Sequence, residues 1–258
     1  MPTTAQLLSA LALPEAAYTD VRITKKLLLE SFKPTAADKR QVADSVESLR
    51  CVASLSPNTV GVRGYADETC QYEELLVLQL QVRRGADTSR LSRIVQRAVQ
   101  YPILLAIEGG DGFELSAARK RASLAEKNSL VVDGPIVTAA WPDGGDENWW
   151  HEITEELAIS RRPRVDLRAL YQSWIDDLAA VLAARQTGEF TLPSSENDSA
   201  TRLVSLEDCD KLTAEIDRLR KAAAKTSQKR RQVEMNLRIN QLKSDREAAL
   251  KHLRLARS

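Results

Sequence analysis

The sequence lacks the features of a membrane or secreted protein. No apolar run approaches the roughly 18–20 residues needed to span a bilayer. The N-terminal segment has no basic stretch before its Leu/Ala residues and carries Glu15 and Asp20, unlike a signal peptide. Cys51, Cys70 and Cys209 are odd in number and widely spaced, so we expect neither a disulfide framework nor a Cys-x-x-Cys metal site. These absences predict a cytoplasmic protein with reduced thiols and no membrane contact.

Several catalytic motifs are also missing. No Glu-x-Lys or Asp-x-Lys occurs, although restriction-type nucleases use such a pair to hold a metal and activate water. No Gly-x-x-x-x-Gly-Lys phosphate loop is present either. The sequence therefore predicts no metal and no cofactor, and it favours a protein without catalytic activity over an enzyme.

The near-neutral charge of the chain hides an asymmetry. Its 37 basic and 36 acidic residues give a net charge of +1. Residues 205–258 hold 14 basic and 8 acidic residues, or +6, whereas the first 204 hold 23 and 28, or −5. The total is thus a cancellation between two unlike parts. Nucleic acid as a partner stays open for the last 54 residues only.

The order of helical and extended patterns predicts an α+β fold, with a mostly antiparallel sheet and flanking helices. Thr35 follows Pro34 and is a suitable N-cap, with Asp38 in the capping-box position three residues later. The apolar run Tyr72 to Val82 predicts a central strand. We also expect a strand at residues 59–62 and a hairpin at residues 129–140 that turns at Asp133-Gly134.

The composition predicts three regions along the chain. Residues 1–186 form the α+β domain, residues 187–204 are a Ser/Pro/Asn-rich linker, and residues 205–258 are basic and helical. In the last region, apolar residues recur at alternating spacings of three and four, as in a coiled-coil seam. The two helical segments either fold back as a hairpin or continue as one long arm. Each is too short to be stable alone, so we expect it to pack on something else.

Two groups of polar residues surround the predicted central strands. Glu73 and Glu74 open the most apolar strand, and Arg119, Lys120 and Arg121 form a basic triplet that follows a later strand. Carboxylates near a basic triplet are either an ion pair between neighbouring strands or a polar site that takes a ligand. The sequence leaves open which of the two applies, and whether Glu73, Glu74 and Lys120 meet.

A second basic group lies between the two C-terminal helical segments. Lys225, Lys229, Arg230 and Arg231 are candidates for contacts with phosphate, although charged turns are usually only solvated. The Trp149-Trp150 pair is a candidate interface anchor.

Taken in order, seven segments of the chain carry a family resemblance. They are Lys25-Lys26 and residues 35–40, 53–62, 72–74, 96–102, 115–121 and 165–171. Together they resemble the family called domain of unknown function 4391. The resemblance implies a bacterial or archaeal protein without an assigned activity, whose gene lies beside those of a large helicase and a DNA methyltransferase in a defence-type cluster. Relatives tend to carry histidine where this chain has Gln96 and Arg119, which argues further against catalysis here.

The resemblance and the missing motifs suggest a non-catalytic accessory subunit of an anti-phage or restriction-like system that targets DNA. Its partner would be the helicase or the methyltransferase. One alternative is a nucleic-acid-binding or nuclease subunit that contacts phosphates through Arg119, Lys120, Arg121 and the Lys225–Arg231 cluster. Another is a structural protein that self-associates through its C-terminal helices.

Overall fold

The computed structural model describes residues 3–109, 112–124, 129–141 and 154–254. The strands are β1 (Tyr18–Arg22), β2 (Val46–Leu55), β3 (Tyr65–Ala66), β4 (Gln71–Tyr72), β5 (Leu75–Val82), β6 (Ile103–Gly109), β7 (Gly112–Ala122) and β8 (Leu130–Trp141). The helices are α1 (Thr4–Leu11), α2 (Lys25–Glu30), α3 (Ala36–Ser45), α4 (Pro57–Val60), α5 (Thr88–Ala98), α6 (Leu167–Thr187), α7 (Glu196–Lys225) and α8 (Lys229–Arg254).

Six of the strands form one sheet in the order β1-β2-β5-β6-β7-β8, and β3 pairs with β4 in a separate two-stranded ribbon. Within the large sheet every neighbouring pair is antiparallel except β5 and β6. Helix α5 connects these two parallel strands, because parallel neighbours need a crossover. The predicted α+β class with a mostly antiparallel sheet is confirmed.

One face of the sheet is covered by α2, α3 and α5. Alternate side chains of β5 and β6, such as Leu80 and Leu105, point to this face and form one core with Leu28, Val42 and Val95 of the three helices. The side chains are essentially inaccessible to solvent. Helix α5 therefore has a fixed inner face, and its other side is left for solvent or a ligand.

The opposite face of the sheet carries α1 and the first half of α6. The Thr4 hydroxyl of α1 donates to Glu108 Oε2 of β6 at 2.8 Å, and Gln79 Nε2 of β5 donates to the same oxygen at 2.9 Å. The Tyr171 hydroxyl of α6 donates to the carbonyl of Ile103 at 2.8 Å. These bonds attach both helices to the central strands.

The predicted capping box of α3 is confirmed. Thr35 Oγ1 accepts from the Asp38 N–H at 3.2 Å, and Asp38 Oδ2 accepts from the Thr35 N–H at 3.0 Å. Hydrogen bonds from Thr35, followed by that from Arg90, lower the pKa of Asp38 to about 2. The carboxylate is therefore ionised at every physiological pH.

Two predicted extended segments are wrong. Residues 59–62, expected as a strand, instead include the end of the short helix α4, which has Pro57 in its first turn and a Ser56–Thr59 capping box at its N-terminus. The hairpin expected at residues 129–140 is the single strand β8, and its pairing with β7 shifts register between Ala118 and Lys120. Gly134, at φ +80°, belongs to a bulge inside this strand and not to a turn.

The chain divides into two compact units, Met1–Leu178 and Ala179–Ser258, and the division lies inside α6. Helix α7 begins at Glu196, within the predicted linker 187–204. Whether residues 1–186 and 205–258 fold independently, as the sequence predicts, stays a prediction.

In the second unit, α7 and α8 pack against each other, so the hairpin is confirmed and the single long arm is wrong. Ile216 of α7 meets Ile239 and Leu242 of α8 in the predicted seam. At the turn, Gln232 Nε2 donates to the carbonyl of Thr226 at 2.9 Å and satisfies a group that the end of α7 leaves open. Across the described part of the chain, no helix combines the length and hydropathy that a membrane span requires.

Candidate functional site

The basic triplet on β7 does not form one basic surface. Successive side chains of a strand point to opposite faces, so Arg119 and Lys120 separate. Arg119 Nε donates to Gln172 Oε1 of α6 at 2.7 Å. Arg121 Nε lies 3.5 Å from Asp133 Oδ1 of the neighbouring strand. The two arginines are thus engaged with the protein itself.

Lys120 points to the other face, where it lies at the C-terminal end of α5. Its Nζ donates to the carbonyl of Gln96 and, at 3.0 Å, to that of Val99. The residue is only 2% exposed, and this burial lowers the pKa of its ammonium to about 7. The Tyr72 hydroxyl accepts from its backbone N–H at 2.9 Å. Lys120 therefore caps a helix, since the last carbonyls of a helix have no partner within it.

Glu73 and Glu74 lie just before β5, in a cleft of about 210 Å³ that Gln100 and Tyr101 also line. Glu73 is exposed, whereas Glu74 is half-buried and accepts a hydrogen bond from the Ser54 hydroxyl. We refer to this feature as the acidic cleft. One of its two carboxylates is thus already hydrogen-bonded within the protein.

The structure thus brings Glu73 and Glu74 together but not with the basic triplet. The Lys120 ammonium contacts backbone carbonyls and is absent from the described lining of the acidic cleft. The three side chains whose convergence the sequence left open therefore do not form one described site.

The second basic group is exposed at the tip of the helical hairpin. Lys225 ends α7, and Lys229, Arg230 and Arg231 form the first turn of α8, which contains no acidic residue. A helix N-terminus is the positive end of its dipole, so three cations there are unfavourably placed. Arg230 has a partial partner in Glu234, at 3.3 Å, but both side chains are largely exposed. The tip of the hairpin therefore carries a concentrated, exposed positive charge.

One edge of the large sheet has a feature that the sequence analysis missed. Strand β1 pairs only with β2, and its outer edge is unpaired in the described structure. Tyr18 is 43% exposed and Val21 57%, and Leu27 on the following helix is 55% exposed. An edge strand with exposed apolar side chains is typical of a protein contact. No strand was predicted here, because these residues show no apolar alternation.

Two buried polar groups were also missed. Ser92 Oγ of α5 lies 2.7 Å from Ser116 Oγ of β7, and Thr138 Oγ1 of β8 donates to Ser116 Oγ at 3.1 Å. Arg162 and Asp177 form an ion pair at 2.8 Å, and burial raises the pKa of Asp177 to about 6. Both groups depend on tertiary contacts that leave no local signal in the sequence.

Within the described residues no group of three or more His, Cys, Asp or Glu side chains has the arrangement of a metal site. The Trp149-Trp150 pair lies outside the described residues. The family model whose description is Domain of unknown function (DUF4391) matches residues 11–245. No curated protein and no solved structure matches the chain.

Proposed function

Because the chain belongs to the DUF4391 family, a domain of unknown function, we propose its role from its geometry: it is an accessory subunit that binds a larger protein. The observation that carries this proposal is the outer edge of β1, which no described strand pairs with and beside which Tyr18, Val21 and Leu27 are exposed. Addition of a strand from a partner satisfies the unpaired N–H and C=O groups, and it covers the apolar side chains.

The contacts of the candidate polar residues favour a structural role for these side chains. They therefore support a non-catalytic role for the first unit. Lys120 caps α5, Arg119 holds Gln172 and Arg121 pairs with Asp133. Glu74 is bound to Ser54. Each of these side chains already has a partner that positions two elements of the fold.

The partner we propose is the helicase or the DNA methyltransferase of a restriction-like or anti-phage system, as the family resemblance implies. Such enzymes act on DNA themselves, so an accessory subunit needs only a surface that recognises the enzyme. The edge of β1 supplies such a surface, because strand addition is directional and specific for the side chains on both strands.

The test is co-purification of the tagged full chain from its native operon. We expect a helicase or methyltransferase in the eluate, and we expect Val21→Lys to lower its recovery about tenfold or more, since a charge at the centre of an interface is unfavourable. Leu237→Lys on α8, at a similarly exposed apolar position, is the matched control and should leave recovery unchanged. Equal recovery with both variants, or neither enzyme in the eluate, would refute the proposal.

The exposed charge at the hairpin tip favours a second candidate, contact with nucleic acid. We expect Lys225→Glu with Lys229→Glu to weaken DNA retention and to reduce its salt dependence, because each lost phosphate contact removes released counterions. Unchanged retention across a salt series contradicts this candidate. Light scattering on the same samples tests self-association, for which a monomer at high concentration is the negative result.

A further inference from the structure

Basic residues are concentrated on and just before α5, although the surrounding part of the chain is acidic overall. Residues 83–97 contain five arginines and one acidic residue, Asp87, although the first 204 residues are acidic overall. Helix α5 buries Leu91, Ile94 and Val95 in the core, so its outer side carries the arginines. A local positive surface on an acidic body is typical of a site for an anion.

The arginines on the outer side of α5 face a cleft. Arg90, Arg93 and Arg97, at positions i, i+3 and i+7, line it on one side, and Phe32 and Thr35 of the segment between α2 and α3 line the other. Its volume is about 240 Å³. We call this feature the arginine cleft. All of its walls belong to the first unit.

One of the three arginines is already neutralised within the cleft. Arg90 donates from Nε and NH2 to Asp38 Oδ1, at 3.0 and 2.8 Å. The low pKa of Asp38 keeps this pair charged. The pair therefore fixes the wall of the cleft and contributes no net charge to it.

The other two arginines are available. Arg93 and Arg97 are exposed, and neither has an ion pair or hydrogen bond to any residue that the structure describes. Their Cα atoms are about 6 Å apart along the helix axis, since each residue rises about 1.5 Å. Two unpaired guanidinium groups at this separation suit two neighbouring phosphates of one strand.

We propose that the arginine cleft binds single-stranded nucleic acid. Arg93 and Arg97 hold successive phosphates, and the half-buried ring of Phe32 contacts a base. A linear polyanion fits better than a compact phosphate group, because the arginines lie in a row along the helix instead of converging on one point. Single strands also present unpaired bases, which a duplex does not.

The experiment is fluorescence anisotropy of labelled oligodeoxythymidylate with the full chain. We expect Arg93→Glu with Arg97→Glu to weaken binding about tenfold or more and to lower the slope of log K against log salt by about 1.4, since each phosphate contact on a single strand contributes about 0.7. Arg93→Lys with Arg97→Lys keeps the charge and should keep the slope. Lys243→Glu with Lys251→Glu on α8, which makes the same change of net charge at exposed positions of the other unit away from the hairpin tip, is the matched control and should leave binding unchanged.

Phe32 provides an independent readout. Phe32→Leu keeps an apolar side chain against the core but removes the aromatic ring. We expect this variant to bind the oligonucleotide about fivefold or more weakly than the wild type, whereas Phe32→Trp should bind as the wild type does. The inference is overturned if the Arg93/Arg97 reversal binds as tightly as the wild type, or if binding is lost only in the Lys225/Lys229 variant of the hairpin tip. If the protein sediments with phosphatidylserine vesicles and does not bind the oligonucleotide, the cleft recognises a membrane surface. That result would also overturn the inference. Loss of the partner in the Val21→Lys test leaves this inference unaffected, because β1 does not line the cleft.

Discussion

Lys120 caps the end of a helix with an amino group whose charged form is disfavoured by burial. The carbonyls of Gln96 and Val99 attract a cation, because they lie at the negative end of the α5 dipole. Burial acts in the other direction and lowers the pKa of the ammonium to about 7. The lysine therefore loses its proton in the folded protein near neutral pH, at a pH where it keeps the proton in the unfolded chain.

This difference predicts how stability depends on pH. Above pH 7 the unfolded chain binds one proton more at Lys120 than the native protein, so the native protein gains relative stability as the pH rises toward the unfolded pKa near 10.5. Between pH 7 and 8 we expect the free energy of unfolding of the wild type to rise by about 1 kcal/mol relative to Lys120→Met. Urea titration of both proteins at each pH measures the difference.

Arg121→Met is the control for this prediction, because it removes a basic side chain from the same strand at a partly exposed position. Its stability difference from the wild type should stay flat from pH 7 to pH 9. A flat difference for Lys120→Met as well would contradict the lowered pKa.

At the residue scale, the features that depend on near neighbours in the chain were predictable. The Thr35–Asp38 capping box follows from a three-residue spacing after a proline. The role of Lys120 was not predictable, because its carbonyl partners lie more than twenty residues away. Strand alternation did contain a usable signal, since it already separates Lys120 from Arg119 and Arg121.

At the scale of elements, the parallel pair β5–β6 depends on a close backbone approach at its end. Gly109 lies opposite Val82, where an added Cβ would be 2.6 Å from Val82 Cγ2 and 2.8 Å from its carbonyl oxygen. We expect Gly109→Ala to lower the free energy of unfolding by about 1–3 kcal/mol, because the strands must move apart. Chemical denaturation with an unchanged m-value is the measurement.

Gly64→Ala is the matched control for this substitution. A Cβ at Gly64 would lie 3.5 Å from its nearest neighbours, which is ordinary van der Waals contact. We expect a change of less than about 0.5 kcal/mol there. Similar effects of the two substitutions would show that backbone proximity at Gly109 is not the cause.

The elements that the sequence misassigned have two physical causes, one local and one that depends on pairing between distant segments. Residues 59–62 have β-branched side chains, but Pro57 and the Ser56–Thr59 capping box favour a helical turn. Asp133-Gly134 has the composition of a hairpin turn, yet β7 is long enough to pair on both sides of it and makes it a bulge. Strand β1 is exposed and, within the described part of the chain, pairs on one side only, so no hydrophobic pattern marks it. Local capping determined the first outcome, and pairing between distant segments determined the other two.

At the scale of the whole molecule, the three cysteines are distributed between the two units. Cys51 and Cys70 belong to the first and Cys209 to the second, and all three are buried. Burial raises the pKa of each thiol, that of Cys51 to about 11, so little thiolate is present near neutral pH. Each thiol should therefore react only when its unit opens.

We expect slow labelling of the native protein by a thiol reagent at pH 8, and rapid labelling of three thiols in denaturant. Peptide mapping should show that Cys51 and Cys70 are labelled at similar rates. Cys209 should be labelled at a different rate, because it belongs to the other unit. Rapid labelling of any cysteine in the native protein contradicts the burial described here. One common rate for all three would show that the two units open together.

The helical hairpin differs from the sheet in the distance along the chain over which its contacts form. Helices α7 and α8 adjoin in sequence, so their seam closes with a turn of only three residues between them. The sheet must instead join β2 to β5 and β1 to β2 across intervening helices, and such long-range pairing slows folding. On dilution from denaturant, the helical hairpin is therefore expected to acquire its structure first, seen as a fast helical phase before the sheet assembles.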